Sequence, residues 1–173
     1  MNYGEIKKTD IANGAGVRVS LFVSGCRHRC ENCFNEATWD FGYGRPFTEE
    51  TEKELMEALS KPFIRGLTLI GGEPFEAENQ RELVKLCRRV RERFKNKDIW
   101  CYSGFTFEEI TGNSRARCEV TDELLGLIDV LVDGRFVESL KDISLKFRGS
   151  SNQRIIDLRR TLDSGETVLW NGQ

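Results

Sequence analysis

Four short apolar runs, each cut off by a glycine-containing polar turn, constrain this 173-residue chain more than any other feature. Val17 to Val23 runs into Ser24-Gly25, and Leu67 to Ile70 into Gly71-Gly72. Ile99 to Tyr102 runs into Ser103-Gly104, and Asp129 to Val132 into Asp133-Gly134. Runs of this length, rich in β-branched and aromatic residues, read as strands. Helical patterns lie between them. Thr48, followed by Glu49 and Glu50, predicts a helix reaching Ser60, because a hydroxyl and first-turn acids suit the free N–H groups of a helix start. Leu83, Leu86, Cys87, Val90 and Phe94 recur at helical spacing, with Arg88, Arg89, Arg91 and Arg93 on what reads as a solvated face. Thr121 and Asp122 open a further helix through Leu127. The alternation predicts an α/β fold whose parallel sheet is joined by right-handed crossovers. All four glycine turns then fall at the carboxyl edge of the sheet, where such folds bind ligands. The tail differs: Ile155–Leu158 and Thr167–Trp170 flank Asp163-Ser164-Gly165 and predict a short antiparallel hairpin.

Nothing subdivides this pattern. There is no internal repeat or Pro/Ser-rich linker, and Pro46, Pro62 and Pro74 fall at element boundaries, so residues 1–173 are expected to form one domain. Hydrophobic residues make up 39% and charged residues 31%, which excludes collagen, general disorder and a disulfide mini-protein. No apolar run nears the roughly 20 residues of a membrane span. MNYGEIKKTD lacks the apolar segment of a signal peptide, so a cytoplasmic location is expected. With 26 basic and 28 acidic residues the net charge is −2, which gives no electrostatic reason to expect nucleic acid or a membrane as partner.

Six cysteines are distributed unevenly: Cys26, Cys30 and Cys33 crowd together, while Cys87, Cys101 and Cys118 are scattered. In a cytoplasmic chain such residues act as ligands, catalytic groups or buried hydrophobes. Cys87 lies on a helical apolar stripe and Cys101 within a strand, so both read as packing, while Cys118 is unassigned. A loop spaced Cys-x3-Cys-x2-Cys can turn three sulfurs toward one small cluster. Three thiolates without a fourth partner match closed structural zinc poorly. They suit a [4Fe–4S] cluster whose fourth iron stays open. A reactive-cysteine loop, or a zinc site completed by His28 or a distant cysteine, stays as an alternative.

This spacing directly after a strand resembles the radical S-adenosylmethionine superfamily. The match extends to NGAGVRVSLFVSGCRHRCENCFNEATW, GLTLIGGEPF, DVLVDGRF and KFRGSSNQRIID, which together resemble the activating proteins of anaerobic ribonucleoside-triphosphate reductase. It covers about Gly14 to Asp157 and is weakest between Lys95 and Asp122. The resemblance implies an incomplete (β/α) barrel of the radical S-adenosylmethionine type. It implies a [4Fe–4S] cluster on Cys26, Cys30 and Cys33, with S-adenosylmethionine chelating the open iron. One-electron cleavage then gives a 5′-deoxyadenosyl radical, which takes a hydrogen from a glycine of the reductase's large catalytic subunit. A flavodoxin-type electron donor is implied as well. The cofactor carries the hard chemistry, in keeping with a chain that has a single histidine and no general-base dyad.

The same resemblance assigns roles by position. Gly71, Gly72 and Glu73 are expected at the methionine end of the ligand, with Glu73 accepting from its ammonium. Taken alone, the Gly-Gly pair is an ordinary turn. Asn32 and Phe34, beside Cys33, are expected against the adenine, although Phe34 also suits a core; Asn35 is a weaker candidate. Asp133 and Arg135 are expected near the cofactor's carboxylate and ribose, or else Asp133-Gly134 forms a type I′ turn. Tyr102 and Ser103 are further candidates at a strand end. His28 is expected to point into solvent or toward the cluster's edge. Phe147 to Arg154 lines the open side of the site, grips the reductase or is a structural loop. Two rival functions stay open. A radical enzyme acting on a free metabolite needs a closed pocket that this chain has few residues to build. A non-enzymatic zinc- or cluster-holding module leaves GGEP and DGRF without a purpose.

Overall fold

The computed structural model describes residues 1–172. Seven strands, β1 (Asn2–Asp10), β2 (Val17–Val23), β3 (Arg45–Pro46), β4 (Ile64–Gly71), β5 (Asp98–Tyr102), β6 (Val130–Asp133) and β7 (Arg154–Asp157), form one sheet. Their order is β3-β1-β2-β4-β5-β6-β7, so the sheet is not closed, as in an incomplete barrel. The four strands expected from sequence are its centre, and β2, β4, β5 and β6 run parallel as neighbours. Antiparallel pairs flank them, β1 on β2 and β7 on β6. The helices are α1 (Glu49–Ser60), α2 (Ala77–Arg93), α3 (Phe107–Thr111), α4 (Thr121–Leu127) and α5 (Leu158–Ser164). None is long and apolar enough to cross a membrane.

The period-2 alternation of the strands divides the interior. Val19, Leu21 and Val23 of β2, with Leu67 and Leu69 of β4, face the helices and pack with Leu55, Leu59, Leu83, Leu86 and Val90. On the opposite face Trp100, Val130 and Val132 gather Phe147, Ile155 and Trp170. Arg18 is fully buried on this face. Its guanidinium donates to Thr68 Oγ1 (2.7 Å), Ala15 O (3.0 Å) and Leu67 O (2.8 Å) and pairs with Asp98 (2.6 Å). With Trp100 beneath it, this group separates two openings on the face. A cavity of about 470 Å³ lies at the amino end beside Ala15, Asp98 and Trp170, and a larger one opens at the carboxyl end beside Phe22, Ile70 and Tyr102.

Three features depart from expectation. The C-terminal hairpin forms in part: its two arms pair antiparallel, with Asp157 N donating to Val168 O (2.9 Å) and Trp170 N to Ile155 O (2.9 Å). Helix α5 (Leu158–Ser164), ended by Gly165 in the left-handed region at φ 74°, replaces the expected loop. The chain returns only afterwards, with Ile156 bridged to Leu169. The α2 arginines are not simply solvated. Arg88 pairs with Glu123 on α4 at 2.5 Å, Arg89 with Glu52 on α1, and Arg91 with Asp129. Last, β1 precedes the four expected strands, although its sequence NYGEIKKTD is largely polar.

Candidate functional site

The cysteine loop leaves β2 at its carboxyl end. There Gly25 N donates to Thr38 O (2.7 Å) and Cys26 N to Trp39 O (3.1 Å), which fixes Cys26 against the turn at Glu36–Trp39. The turn after β4 packs alongside, since Gly72 N donates to Val23 O (2.7 Å) and Glu73 N to Gly25 O (2.8 Å). That approach explains the Gly-Gly pair. A Cβ on Gly71 would stand 2.6 Å from Val23 N and O, and one on Gly72 2.6 Å from Gly25 O. Asn79 of α2 ties both turns together by donating to Ser24 O (3.0 Å) and Glu73 O (2.9 Å).

These turns enclose a cavity of about 590 Å³ lined by Cys26, Cys30, Cys33, Gly71, Gly72 and Glu73. Phe34, Asn35, Tyr102 and Ser103 line it too, and Phe136 and residues 141–149 of the chain's later half bound its far side. All three thiols are partly exposed and unpaired. Burial pushes the Cys26 thiol up to about 12, against backbone N–H donors from His28 and Arg29. Cys30 is raised by burial and by its neighbour Cys33, while Arg135 and the Phe136 N–H pull the other way. Cys33 Sγ accepts from Asn35 N at 3.4 Å. One backbone N–H directed at Cys33 Sγ favours its thiolate, and three unpaired sulfurs facing one cavity suit a bound iron–sulfur cluster. Among the described residues no three His, Cys, Asp or Glu side chains converge as ligands of one metal ion would. A cluster gives each cysteine its own iron. Among the described residues, the non-glycine residues at positive φ are Arg29 (51°), Asn32 (52°) and Phe147 (60°), two in the cysteine loop and one in the far wall. Such strain collects where a site must be held in shape.

Three positions expected at the ligand do not line the cavity: Asn32, Asp133 and Arg135. Asn32 is exposed at its left-handed turn. Asp133 is buried and faces away, accepting from Phe107 N (2.7 Å) and from Arg154 (2.5 and 3.0 Å). Nor is Asp133-Gly134 a type I′ turn, because only the glycine has positive φ. Arg135 is exposed but close enough to act on Cys30. Phe34 lines the cavity while 70% exposed, its ring 5.2 Å from that of Phe136, so it is not a core residue.

His28 does not point into solvent: its side chain is only 2% exposed and lines the cavity with Cys26 and Cys30, as its other expected place, toward the cluster's edge, requires. Nε2 lies 3.0 Å from Glu73 Oε2. Gly104 N (2.7 Å) also donates to that oxygen, while Phe75 N (2.8 Å) and Ser103 Oγ (2.9 Å) donate to Oε1. A ligand ammonium reaching Glu73 therefore meets a carboxylate already held by four protein donors. The one sequence signal for His28 is that the chain's single histidine falls midway between Cys26 and Cys30. Cys87 and Cys101 are buried in the helix-side core, and Cys118 stands beside Thr121 (3.7 Å), away from the cavity.

An open sheet, parallel at its centre, with three cysteines on its carboxyl edge defines a class, that of single-cluster iron–sulfur proteins. The family model described as a 4Fe-4S single cluster domain matches residues 12–156. Proteins named anaerobic ribonucleoside-triphosphate reductase-activating protein align over nearly the whole chain. The one from Escherichia coli K12 is 43% identical over 161 residues, covering 92% of this chain and all of the relative. That of Enterobacteria phage T4 is 44% identical over 155 residues, covering 90% and 93%. The Vibrio cholerae protein is 40% identical over 157 residues, covering 90% and 97%. The chain belongs to the family of anaerobic ribonucleoside-triphosphate reductase-activating proteins.

Proposed function

We propose that this chain activates anaerobic ribonucleoside-triphosphate reductase as a radical S-adenosylmethionine enzyme, acting in the cytoplasm as one domain of the incomplete-barrel type. The observation that carries the reading is the shared cavity. Cys26, Cys30 and Cys33 open into the same space as Gly71, Gly72 and Glu73. The cysteines would hold a [4Fe–4S] cluster, and S-adenosylmethionine would lie between it and the glycine turn. Together these groups supply one-electron cleavage of a sulfonium C–S bond and hydrogen abstraction from a glycine of the reductase's large catalytic subunit.

The chain's own residues bind, orient and exclude water. The Asn35 N–H stabilises the Cys33 thiolate. Phe22, Ile70 and Phe136 give the cavity apolar walls. Phe34 and Asn35 stand on the wall next to Cys33, where an adenine would be met. Asp133 serves by fixing α3 and Arg154 rather than by touching ligand. The sheet's open side suits a macromolecular substrate, and a flavodoxin-type protein would deliver the electron.

The test is anaerobic reconstitution with iron and sulfide, then dithionite and S-adenosylmethionine, with and without the large reductase subunit. The expected result is a glycyl-radical doublet by electron paramagnetic resonance on the reductase, abolished in Cys26→Ala, Cys30→Ala or Cys33→Ala. Cofactor cleavage without that doublet would remove the proposed substrate, and failure to assemble a cluster would remove the radical reading altogether.

A further inference from the structure

We infer that His28 is a positioning residue whose buried imidazole keys the cysteine loop onto the turns that follow β4 and β5. The inference deepens the function proposed above and rests on it only for the identity of the group the cysteines hold.

The loop is also tied at Arg27, whose N donates to Glu76 Oε1 (2.9 Å) and whose guanidinium pairs with Glu76 (2.5 Å), but most of its side chains face solvent. Arg27, Arg29, Glu31 and Asn32 are exposed, whereas the His28 side chain is 2% exposed. Its two nitrogens meet opposite partners. Nδ1 is 3.4 Å from Arg115 Nη2, and a guanidinium has only donors, so Nδ1 accepts. The hydrogen therefore sits on Nε2 and is donated to Glu73 Oε2 at 3.0 Å. The ring packs edge-on to Phe105 with centroids 4.3 Å apart. Gly104 completes the socket: a Cβ there would stand 2.6 Å from His28 Cδ2 and 2.8 Å from Nε2. Glu73 also accepts from Phe75, Ser103 and Gly104, so one carboxylate joins the cysteine loop, its own turn and the turn after β5.

Cys26 is placed by the end of β2, but Cys30 and Cys33 hang on chain that has left the sheet. Between them and Cys26, Arg27 is held through its N–H to Glu76 and His28 by its buried side chain. Arg29, next to it, adopts a left-handed conformation that persists only where its surroundings impose it. Without the imidazole, that turn loses its constraint and the second and third sulfurs lose their place relative to the first. Glutamine can replace both contacts with one amide, donating to Glu73 and accepting from Arg115. Leucine fills the socket and makes neither.

The experiment compares the full chain with His28→Gln and His28→Leu, each reconstituted anaerobically. It reads the rate of iron loss to a chelator, the paramagnetic resonance line shape with and without S-adenosylmethionine, and the thermal midpoint. His28→Leu is expected to lose iron about 10-fold faster or more, as when a residue orienting metal ligands is removed. It should also show a changed line shape. His28→Gln should stay near the parent in both and in midpoint, whereas His28→Leu, which takes a donor from buried Glu73, should also unfold at lower temperature. A cycle with Gly104 tests the socket itself. Gly104→Ala should speed iron loss in the parent, where it expels the imidazole, and do nothing further in His28→Ala. Hydrogen exchange on the cluster-free chain is the independent arm: amides of residues 27–33 should exchange faster in His28→Leu than in His28→Gln. Parental iron retention in His28→Leu, no rescue by glutamine, or an equal Gly104→Ala effect in both backgrounds would overturn the inference. A parent that holds its cluster yet makes no glycyl radical would instead overturn the proposed function and leave this one standing.

Discussion

Asp10 shows how much a single buried carboxylate does in this fold. It ends β1 at 6% exposure and accepts from Ala12 N (2.9 Å), Asn13 Nδ2 (2.7 Å) and Ser20 Oγ (2.6 Å). Burial pushes its pKa up, but these hydrogen bonds and nearby Lys7 outweigh burial and hold it below the ordinary value. A carboxyl that binds its proton less readily folded than unfolded stabilises fully above the unfolded value of about 3.9. That stabilisation is lost as pH falls through the lower, folded value. Asp10→Asn is therefore expected to cost about 1–3 kcal/mol near neutral pH. The gap to the parent should narrow as pH drops below about 3.9. Urea unfolding at several pH values checks this, and a gap independent of pH would refute it. Residues whose role is local were legible in the sequence. The cysteine spacing is such a case, because three sulfurs within eight positions must share a neighbourhood. His28 and Asp133 were not, since Gly104, Phe105 and Arg115 bury the first and Arg154 and α3 engage the second, all from distant segments.

At the scale of elements, two glycines with open space around them are expected to respond in opposite directions. Nothing lies within 4 Å of a Cβ built on Gly126 or on Gly165, so packing decides neither. Gly126 sits inside α4, where alanine gains helix propensity and should stabilise by about 0.5–1 kcal/mol. Gly165 closes α5 at φ 74°, where alanine is strained and should destabilise by about 1 kcal/mol or more. Matched denaturation curves test the pair, and a shared sign would show that the backbone conformation at 165 is not as described. The same glycine explains why a hairpin is read there. Asp163-Ser164-Gly165 has turn composition, but Asp157 accepts from Arg160 N (3.0 Å) as a helix cap and starts a helix seven residues long. Helix starts with strong local chemistry, such as Thr48 accepting from Thr51 N, are legible. A flanking strand like β1 is not. Most of its residues stay partly or fully exposed, so its sequence carries little apolar alternation.

At the scale of the whole molecule, the parallel centre and its carboxyl edge follow from the strand–helix alternation, whereas the wall facing the cysteines does not. That wall, from Phe136 to Gln153, has little regular structure beyond one 3-10 turn at Glu138–Leu140. Its one backbone pairing is the short antiparallel bridge of Lys141 with Ser150, and side chains set the rest, which leaves little periodic signal. Tyr102 OH donates to Phe147 O at 2.8 Å, pinning the wall to β5. Gln153 does more: its Oε1 accepts from Gly149 N (2.9 Å) and Ser150 N (3.1 Å), and its Nε2 donates to Gly134 O (3.0 Å). One amide thus holds the wall to the turn after β6 and keeps two backbone donors satisfied. Gln153→Leu would leave both without an acceptor, at about 1–3 kcal/mol for each group left buried. The penalty belongs to the wall, because the sheet's hydrogen bonds do not pass through Gln153. Amides of Gly149 and Ser150 are therefore expected to exchange about 10-fold faster or more. Those of β2 and β4 should keep parental protection. In the activase proposed above, a loosened wall admits water to the cavity, so glycyl radical formed per S-adenosylmethionine consumed should fall even with a full cluster. Unchanged exchange at 149 and 150 would mean that something other than Gln153 holds the wall closed.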